Sequence, residues 1–363
     1  MPSDRIRELD GVRGLAIVFV LIWHYATSLF DLRGPIGHAV YRSICWTWSG
    51  VDLFFVLSGF LIVGILMRHS SCPHYFRTFY ARRVLRIIPL YYLLILGFIL
   101  FRSLGLQARF YWLMAHPFPM WSYFAFVQNF LMGHAWRWGP PWLGITWSLA
   151  VEEQFYLLMP LLIFAANKRY LPLIFGAGIL AAPVIRAMLP HLCATVLLPA
   201  RMDSILIGAL IAYYFENERV RSFLLRGKNM LRLLFVVFFI PACYMFDRGP
   251  AWKLGGSMIH SLLGIAYGFL VLIALICVSD WEGKFLRQKA LAFLGKIPYC
   301  VYLIHSLVLG LLYPLILKQD PKIENLNGFL VACVALVLTI FVAALSYRYF
   351  EKPILDYAKR FKY

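Results

Sequence analysis

The chain has 363 residues, of which 62% are hydrophobic and 17% aromatic but only 14% charged. Soluble proteins are typically about half apolar with roughly a quarter of their residues charged, so this composition excludes an ordinary soluble enzyme and a disordered chain. The formal charge is +18, from 35 Lys and Arg against 17 Asp and Glu. We interpret the chain as a polytopic membrane protein, in which each ionisable residue within the bilayer is a functional candidate.

Ten apolar segments are predicted to cross the membrane, since about 20 apolar residues at a rise of about 1.5 Å each span a bilayer. In chain order they are Val12–Phe30, Val51–Met67, Ile87–Ser103, Leu143–Ala166, Leu171–Met188, Asp203–Glu216, Leu231–Phe246, Ser257–Ser279, Leu291–Leu317 and Gly328–Phe350. The sixth segment is short, and we expect it to be tilted, to thin the bilayer or to be partly broken. Trp121–Gly133 is shorter still and polar, which predicts an interfacial or re-entrant helix.

Basic residues are distributed unequally between the two sides of this predicted topology. With the first residue placed in the cytosol, the inner segments carry 21 Lys and Arg and the outer segments carry nine. Cytoplasmic loops are the ones enriched in positive charge. The pattern therefore predicts an all-α, polytopic transmembrane helical bundle with ten spans and both termini cytoplasmic, and the excess charge requires no nucleic-acid partner.

The remaining gross features indicate one membrane domain. The first apolar run follows several Arg residues and lacks a small-residue cleavage site, so we expect a retained anchor rather than a cleaved leader. The longest loop has about forty residues, and we predict a single integral-membrane domain over 1–363 with no separate soluble domain. The seven Cys residues are odd in number and form no C-x-x-C pair, which argues against a disulfide framework or zinc site, and we expect no metal.

Three titratable residues fall at one predicted depth on three different spans: His24, Glu152 and His305. Two histidines and a carboxylate can relay a proton, or one histidine can act as a base that the carboxylate orients. The alternative is that each is a packed polar residue bonded to its surroundings. Ser148, Glu152 and Tyr156 share one helical stripe, which favours Glu152 over its neighbour Glu153 as the carboxylate that faces inward.

Charged residues at the ends of the predicted spans form three further groups. Arg82, Arg83 and Arg86 share helical faces at the inner end of the third span, where guanidinium groups could grip the phosphates of a cytosolic ligand or could merely set the topology. Arg13 follows Asp10 by one turn, and Arg201 lies beside Asp203. For these last two groups, interfacial ion pairing or snorkelling is the preferred explanation.

Seven strings, in order, together resemble the family-3 membrane acyltransferases, which O-acylate sugars and other hydroxyl compounds at bacterial membranes. They are ELDGVRGLA from Glu8 with His24 beyond it, FFVLSGFL from Phe54, RRVLRIIP from Arg82, WSLAVEEQFY from Trp147, RMDSILIG from Arg201, LGKIPYCVYLIH from Leu294 and SYRYFEKP from Ser346. The resemblance implies ten spans, an acyl-CoA donor that enters from the cytosol and an acceptor hydroxyl at the outer side. It ties Arg13, His24, Arg83 and Arg86 to activity.

The chain departs from the resemblance at two points. We expect it to lack the hydrolase-like extracytoplasmic domain of some relatives. It also carries Pro298 where many relatives carry Ser, a change expected to alter local packing rather than chemistry.

The combined hypothesis is an O-acetyltransferase of the bacterial inner membrane. His24 is the predicted base, with Glu152 and Arg13 as its catalytic partners, although His24 could instead carry the acyl group covalently. Arg82, Arg83 and Arg86 would hold acetyl-CoA. The candidate substrate-binding residues are Ser58, Arg201, Asp203 and His305, and for Ser58 small-residue helix packing is an equally good explanation.

The sequence leaves the acceptor open, and it allows alternatives to this acyltransferase. The acceptor could be a surface polysaccharide, lipopolysaccharide, a lipo-oligosaccharide or a small metabolite, with membrane lipid as the surroundings. A proton-coupled transporter fits the spans and the midplane histidines, but no inverted repeat is evident. A membrane-bound O-acyltransferase of the unrelated class would not explain Arg13 or the Glu152 string, and a noncatalytic assembly partner is the last alternative.

Overall fold

The computed structural model describes residues 6–29, 39, 41–247 and 253–363, with the backbone alone for 253–255. Four residues used in the prediction of spans and topology, Arg5, Phe30, Arg33 and Arg248, lie outside the described residues. The described residues form helices and contain no strand, which confirms the all-α prediction. All seven Cys residues are free thiols.

Within the described residues, ten helices are long and apolar enough to cross a membrane, as predicted. We label their regular parts α1 (Arg7–Ile22), α2 (Gly50–His69), α3 (Tyr75–Ser103), α4 (Trp147–Ala165), α5 (Leu171–Met188), α6 (Leu198–Phe215), α7 (Lys228–Asp247), α8 (Lys253–Ile276), α9 (Pro298–Ile316) and α10 (Leu326–Ser346). Large apolar side chains are exposed along α7, as a helix surface in contact with lipid requires.

The predicted ends of three spans were wrong. Helix α3 begins at Tyr75, so the arginine string lies within it rather than before it. The sixth span extends over His191–Phe215 with a break at extended Leu197, so Asp203 lies inside the helix instead of starting it. Helix α9 begins at Pro298, because proline fits the first turn of a helix, where its missing N–H would have had no partner.

The predicted interfacial helix Trp121–Gly133 is two short helices, Met120–Phe124 and Gln128–Ala135. They are separated at Phe126, whose φ of 55° lies in the left-handed region. Gln128 is fully buried, and its amide donates to the Thr146 carbonyl at 2.9 Å. Protein groups thus satisfy the amide nitrogen of Gln128, whereas its Oε1 is buried with no hydrogen-bond partner among the described residues.

The chain divides into two compact units, each assembled from separate stretches. The first unit comprises the described parts of Met1–Phe19, Trp48–Ser71 and Val151–Lys296, and the second those of Val20–Thr47, Cys72–Ala150 and Ile297–Tyr363. Each unit is described below by itself.

Close helix packing through glycine holds the first unit together. A Cβ on Gly59 of α2 would lie 1.8 Å from the Ile205 carbonyl oxygen of α6, and a Cβ on Gly208 of α6 would lie 2.0 Å from that of Val56. Any side chain at these positions would therefore force the two backbones apart. The string FFVLSGFL thus serves packing as well as any chemistry, since small residues let helices in membranes approach closely.

Long-range hydrogen bonds tie together the second unit. The Tyr91 hydroxyl donates to the Tyr123 carbonyl at 2.9 Å, and Tyr313 of α9 donates to the Gly328 carbonyl of α10 at 2.6 Å. Two π-helices occur here, Trp23–Thr27 after α1 and Tyr347–Glu351 after α10. The short helix Lys352–Ala358 then packs on α3.

Candidate functional site

His24 lies in the five-residue π-helix Trp23–Thr27, a rare geometry that often marks functional positions. Its Nδ1 lies 2.9 Å from the Val20 carbonyl oxygen. Because a carbonyl oxygen can only accept, Nδ1 is the protonated nitrogen of the neutral ring and Nε2 carries the lone pair. His24 is half-buried, so this lone pair belongs to a ring that solvent or a ligand can reach.

His305 lies beside His24, as their shared predicted depth suggested. The two ring centroids are 4.5 Å apart with an interplanar angle of 65°. His305 Nδ1 is 2.6 Å from the Tyr302 carbonyl oxygen, so the proton is again on Nδ1 and the lone pair on Nε2. That Nε2 is buried and has no hydrogen-bond partner among the described residues, which leaves an acceptor for an incoming donor group.

The backbone at His305 is held by a residue that the sequence did not single out. The Tyr25 hydroxyl donates to the His305 carbonyl at 2.9 Å and is 2.9 Å from the Thr339 hydroxyl of α10. Because the Tyr25 hydrogen goes to the carbonyl, Thr339 donates to Tyr25. Tyr25 adjoins His24 in the same π-helix, so one short segment supplies one histidine and fixes the other.

Glu152, in the first unit, forms a hydrogen-bonded group with Ser58 and Tyr156. The Ser58 hydroxyl donates to Glu152 Oε1 at 2.6 Å, and the Tyr156 hydroxyl donates to Ser58 Oγ at 3.2 Å. The predicted helical stripe therefore presents both Glu152 and Tyr156 to one serine of α2. His24 belongs to the second unit, so its predicted pairing with Glu152 stays a prediction.

Ser148 begins the same stripe and lies in the second unit. Its Oγ is 2.5 Å from the Tyr302 hydroxyl, which donates to the Ile145 carbonyl at 2.7 Å. Tyr302 is therefore the acceptor for the Ser148 hydroxyl, and its ring centroid is 5.8 Å from that of His305. The polar surroundings of the histidine pair thus include Tyr302, which only its presence in the string LGKIPYCVYLIH could have indicated.

The three arginines of α3 have different surroundings. Arg82 Nε donates to the Phe361 carbonyl at 2.9 Å, and its guanidinium lies 5.3 Å from the centre of the Tyr363 ring. The Arg83 guanidinium lies 5.7 Å from the centre of the Phe79 ring. Arg86 is exposed, and its charge acts on the Glu351 carboxylate. The arginine string itself could not predict the partners Phe361, Tyr363 and Glu351, because they lie far along the chain, whereas Phe79 is one turn before Arg83.

Arg13 is bonded to the acid one turn before it. Its Nη1 donates to Asp10 Oδ1 at 2.7 Å, with the Arg13 side chain 24% exposed and Asp10 5%. This ion pair is the structural alternative that the sequence left open. The catalytic role of Arg13 that the resemblance implies stays a prediction.

Arg201 and Asp203 are each paired with another residue rather than with one another. Arg201 donates to Asp52 Oδ1 of α2 at 2.7 Å and also contacts His260 Nδ1. Arg186 of α5 donates to Asp203 Oδ2 at 2.7 Å, and Ser261 of α8 donates to the same oxygen at 2.6 Å. Two cations thus balance two anions inside the first unit.

These ion pairs are almost completely buried. The side chains of Arg186 and Asp203 are 2% and 0% exposed, and those of Arg201 and Asp52 are 1% and 0%. Of these four residues, only Arg201 and Asp203 were candidates from the sequence. Asp52 and Arg186 lie within predicted spans, so the same reasoning about ionisable groups in hydrocarbon could have found them.

One group of side chains in the described residues has metal-ligand geometry: Cys277, Asp280 and Glu282. Its carboxylates already bind protein cations, since Arg232 lies 2.7 Å from Asp280 and 2.5 Å from Glu282, and Lys228 lies 3.2 Å from Asp280. The hydrogen bond from Lys228 holds the pKa of Asp280 below its usual value. The arrangement is a salt-bridge cluster rather than an open metal site.

Comparison with known proteins extends over nearly the whole chain. A family model described as an acyltransferase domain matches residues 6–348. The peptidoglycan O-acetyltransferase OatA of Listeria monocytogenes is 26% identical over 98% of this chain, and the O-acetyltransferase OatA of Staphylococcus aureus is 26% identical over 95%. YrhL of Bacillus subtilis, named as a candidate peptidoglycan O-acetyltransferase, is 27% identical over 96%.

The matched region is only part of each relative. The chain spans 58% of the Listeria protein, 56% of the Staphylococcus protein and 55% of the Bacillus protein. No solved structure matches this chain.

Proposed function

This chain belongs to the acyltransferase-domain family, and from that premise we propose that it is a membrane O-acetyltransferase. Its donor is acetyl-CoA and its acceptor is a hydroxyl of a cell-envelope glycan. The names of the relatives support the acetyl group. Two of them also name peptidoglycan, an envelope glycan that the sequence did not single out as an acceptor. Lipopolysaccharide and lipo-oligosaccharide are the competing glycan acceptors.

The histidine pair is the observation that carries this proposal. His24 Nε2 has the lone pair that a general base needs, and its Nδ1 is fixed by the Val20 carbonyl. As the acceptor oxygen attacks the thioester carbonyl carbon, Nε2 takes the hydroxyl proton. The carbon–sulfur bond then breaks, and the coenzyme A thiolate leaves with the proton from the imidazolium. Such a base typically contributes about 10²–10⁴-fold to the rate.

The other site residues have supporting roles. His305 Nε2 is an acceptor for a substrate hydroxyl, and Tyr25 holds the backbone that presents it. Glu152 supplies negative charge and is bonded to Ser58, which is therefore the side chain through which it would act. We assign Arg13 to the catalytic set on the family resemblance alone.

The arginine segment of α3 is the proposed donor site. Exposed Arg86 and the neighbouring Arg83 suit the phosphates of coenzyme A, because one guanidinium group can donate two parallel hydrogen bonds to phosphate oxygens. This assignment requires the end of α3 near Tyr75 to face the cytosol, with both termini on that side and the protein in the bacterial inner membrane. A protease-protection assay on inverted vesicles tests this orientation.

The decisive experiment measures transfer from labelled acetyl-CoA to soluble peptidoglycan fragments or to lipopolysaccharide by the protein in lipid nanodiscs. We expect His24→Gln to lower kcat at least about 10²-fold at a normal amount of folded protein, because the base is lost. The matched control is His134→Gln, an exposed histidine, which should transfer at the wild-type rate. Wild-type transfer by His24→Gln would rule out His24 as the base.

The same preparation separates the two chemical routes. Label retained on the protein without acceptor, and lost in His24→Gln, would mean that His24 carries the acetyl group, as a nucleophilic histidine would. No retained label would support direct transfer. Flux of a glycan across the bilayer without consumption of acetyl-CoA would overturn the enzyme in favour of a transporter.

A further inference from the structure

Residues 359–363 lie across one face of α3. The Thr78 hydroxyl donates to the Lys362 carbonyl at 2.8 Å, and Arg82 Nε donates to the Phe361 carbonyl at 2.9 Å. Thr78 and Arg82 are four residues apart and therefore share a face of the helix. The Tyr363 ring completes the contact, because the Arg82 guanidinium lies 5.3 Å from its centre. We call residues 359–363 the basic strap, after Lys359, Arg360 and Lys362.

Arg82 and Arg86 differ in their surroundings. Arg82 binds the backbone and an aromatic ring of the basic strap, so its hydrogen-bonding capacity is partly used within the protein. Arg86 instead is exposed. Arg82 thus fixes the strap on the face of α3 that also carries Arg86, four residues further along the helix.

The charge of the strap complements the charge of the proposed donor. Coenzyme A carries a diphosphate and a 3′-phosphate, together about four negative charges near neutral pH, since a phosphate monoester alone carries about −1.5 to −2. Arg83 and Arg86 balance about half of this charge. Lys359 is paired with Asp356 at 2.6 Å, whereas the Lys362 side chain is exposed beside the two carbonyls that anchor the strap.

We propose that the basic strap is the second wall of the donor phosphate site, with Lys362 as a phosphate-binding residue and with Thr78 and Arg82 as positioning residues. The proposal rests on the proposed function, because it takes coenzyme A as the ligand. Lipid headgroups present the same phosphate chemistry near a membrane surface, and they are the alternative source that the experiment must separate.

The test uses the full chain in nanodiscs of uncharged lipid and measures coenzyme A binding and acetyl transfer. We expect Lys362→Glu to raise the Kd of coenzyme A about tenfold, because it removes a charge-assisted contact and adds repulsion. Thr78→Val should raise KM for acetyl-CoA about threefold and leave kcat unchanged, since it loosens the strap without touching the reacting atoms. The control Lys284→Glu makes the same charge change at an exposed lysine of the first unit and should leave the Kd unchanged.

A truncated donor distinguishes phosphate binding from a general structural effect. With acetyl-pantetheine, which has no phosphate, Lys362→Glu and the wild type should have equal kcat/KM. A defect of the same size with this donor would overturn the proposal, as would a defect seen only after anionic phospholipid is added, which would assign the strap to lipid.

Failure of this inference and failure of the proposed function give different results. If the wild type binds coenzyme A, and Arg83→Ala or Arg86→Ala weakens that binding while Lys362→Glu does not, the strap has no part in the site. If the wild type does not bind coenzyme A at all, the donor assignment itself is wrong.

Discussion

The buried ion pair between Arg186 and Asp203 allows a quantitative test of whether Asp203 serves structure or substrate. Its side chains are 2% and 0% exposed, and Arg186 also donates to the Ser257 carbonyl at 2.7 Å and to Ser261. Arg186→Met would leave the Asp203 carboxylate buried with the Ser261 hydroxyl and without its counter-charge. Removal of one partner of a buried pair typically costs about 3–5 kcal/mol.

Replacement of both partners should cost less than the sum of the single changes. In Arg186→Met with Asp203→Leu no charge is left uncompensated, and apolar replacements of buried pairs are often neutral or stabilising. Here the carbonyls of Ser257 and Ala200 and the Ser261 hydroxyl lose partners, at about 1–3 kcal/mol for each unsatisfied group. We therefore expect the double variant to recover about 2 kcal/mol or more relative to additivity.

The assay is reversible unfolding of the purified protein in mixed detergent, with acetyl transfer measured on the same samples. Arg102→Met is the matched control at an exposed position and should change the unfolding free energy by less than about 0.5 kcal/mol. If the pair is structural, the double variant is folded and active. A stable but inactive double variant would refute this reasoning and support the sequence-based assignment of Asp203 to substrate binding. If the loss of unfolding free energy in the double variant equals the sum of the two single losses, the ion pair itself is refuted.

Three further predictions concern packing, positioning and pH. Gly208→Ala would place a methyl group 2.0 Å from the Val56 carbonyl oxygen and should destabilise the protein by about 1–3 kcal/mol. The control Gly176→Ala, at a position with open space, should leave the stability unchanged. Equal melting temperatures of the two variants would contradict the packing of α2 on α6. Tyr25→Phe removes the donor to the His305 carbonyl and should lower kcat several-fold at a stability loss of about 1 kcal/mol, and an unchanged kcat would remove Tyr25 from the site. Because folding lowers the pKa of Asp280, the stability that its carboxylate contributes is complete above about pH 4 and is lost as the pH falls through the folded-state pKa. The difference in unfolding free energy between wild type and Asp280→Asn should therefore be present at pH 6 and smaller at pH 3. A difference independent of pH would contradict the salt bridge to Lys228.

Local hydrophobicity made the architecture predictable. Ten apolar runs of sufficient length predicted ten spans, and the part of the chain that the structure describes has ten helices that meet this requirement. The errors were at helix ends, where Arg82 in α3 and Asp203 in α6 interrupt the apolar pattern. A hydrophobicity pattern cannot tell a charge at a helix end from a charge that another helix neutralises, because the neutralising partner is elsewhere in the chain.

Intramembrane ionisable residues identified part of the candidate site for the same physical reason. His24 and His305 are 281 positions apart in the sequence, yet their predicted depths were enough to suggest that they meet, and their rings are 4.5 Å apart. Glu152 was also singled out by depth, but its partner Ser58 was considered only as a separate candidate. Depth constrains one coordinate of a residue, and the rotation of its helix decides which neighbour it contacts.

By itself, the sequence determined the all-helical membrane architecture, the family resemblance and the titratable residues that merit attention, because span length and the cost of burying charge are properties of single segments. Only the tertiary structure decided that Arg201 pairs with Asp52, that Arg186 pairs with Asp203 and that Arg82 holds residues 361–363. Each of these contacts joins two different helices or segments of the chain. Their formation depends on how whole helices pack, and no local pattern of residues encodes that packing.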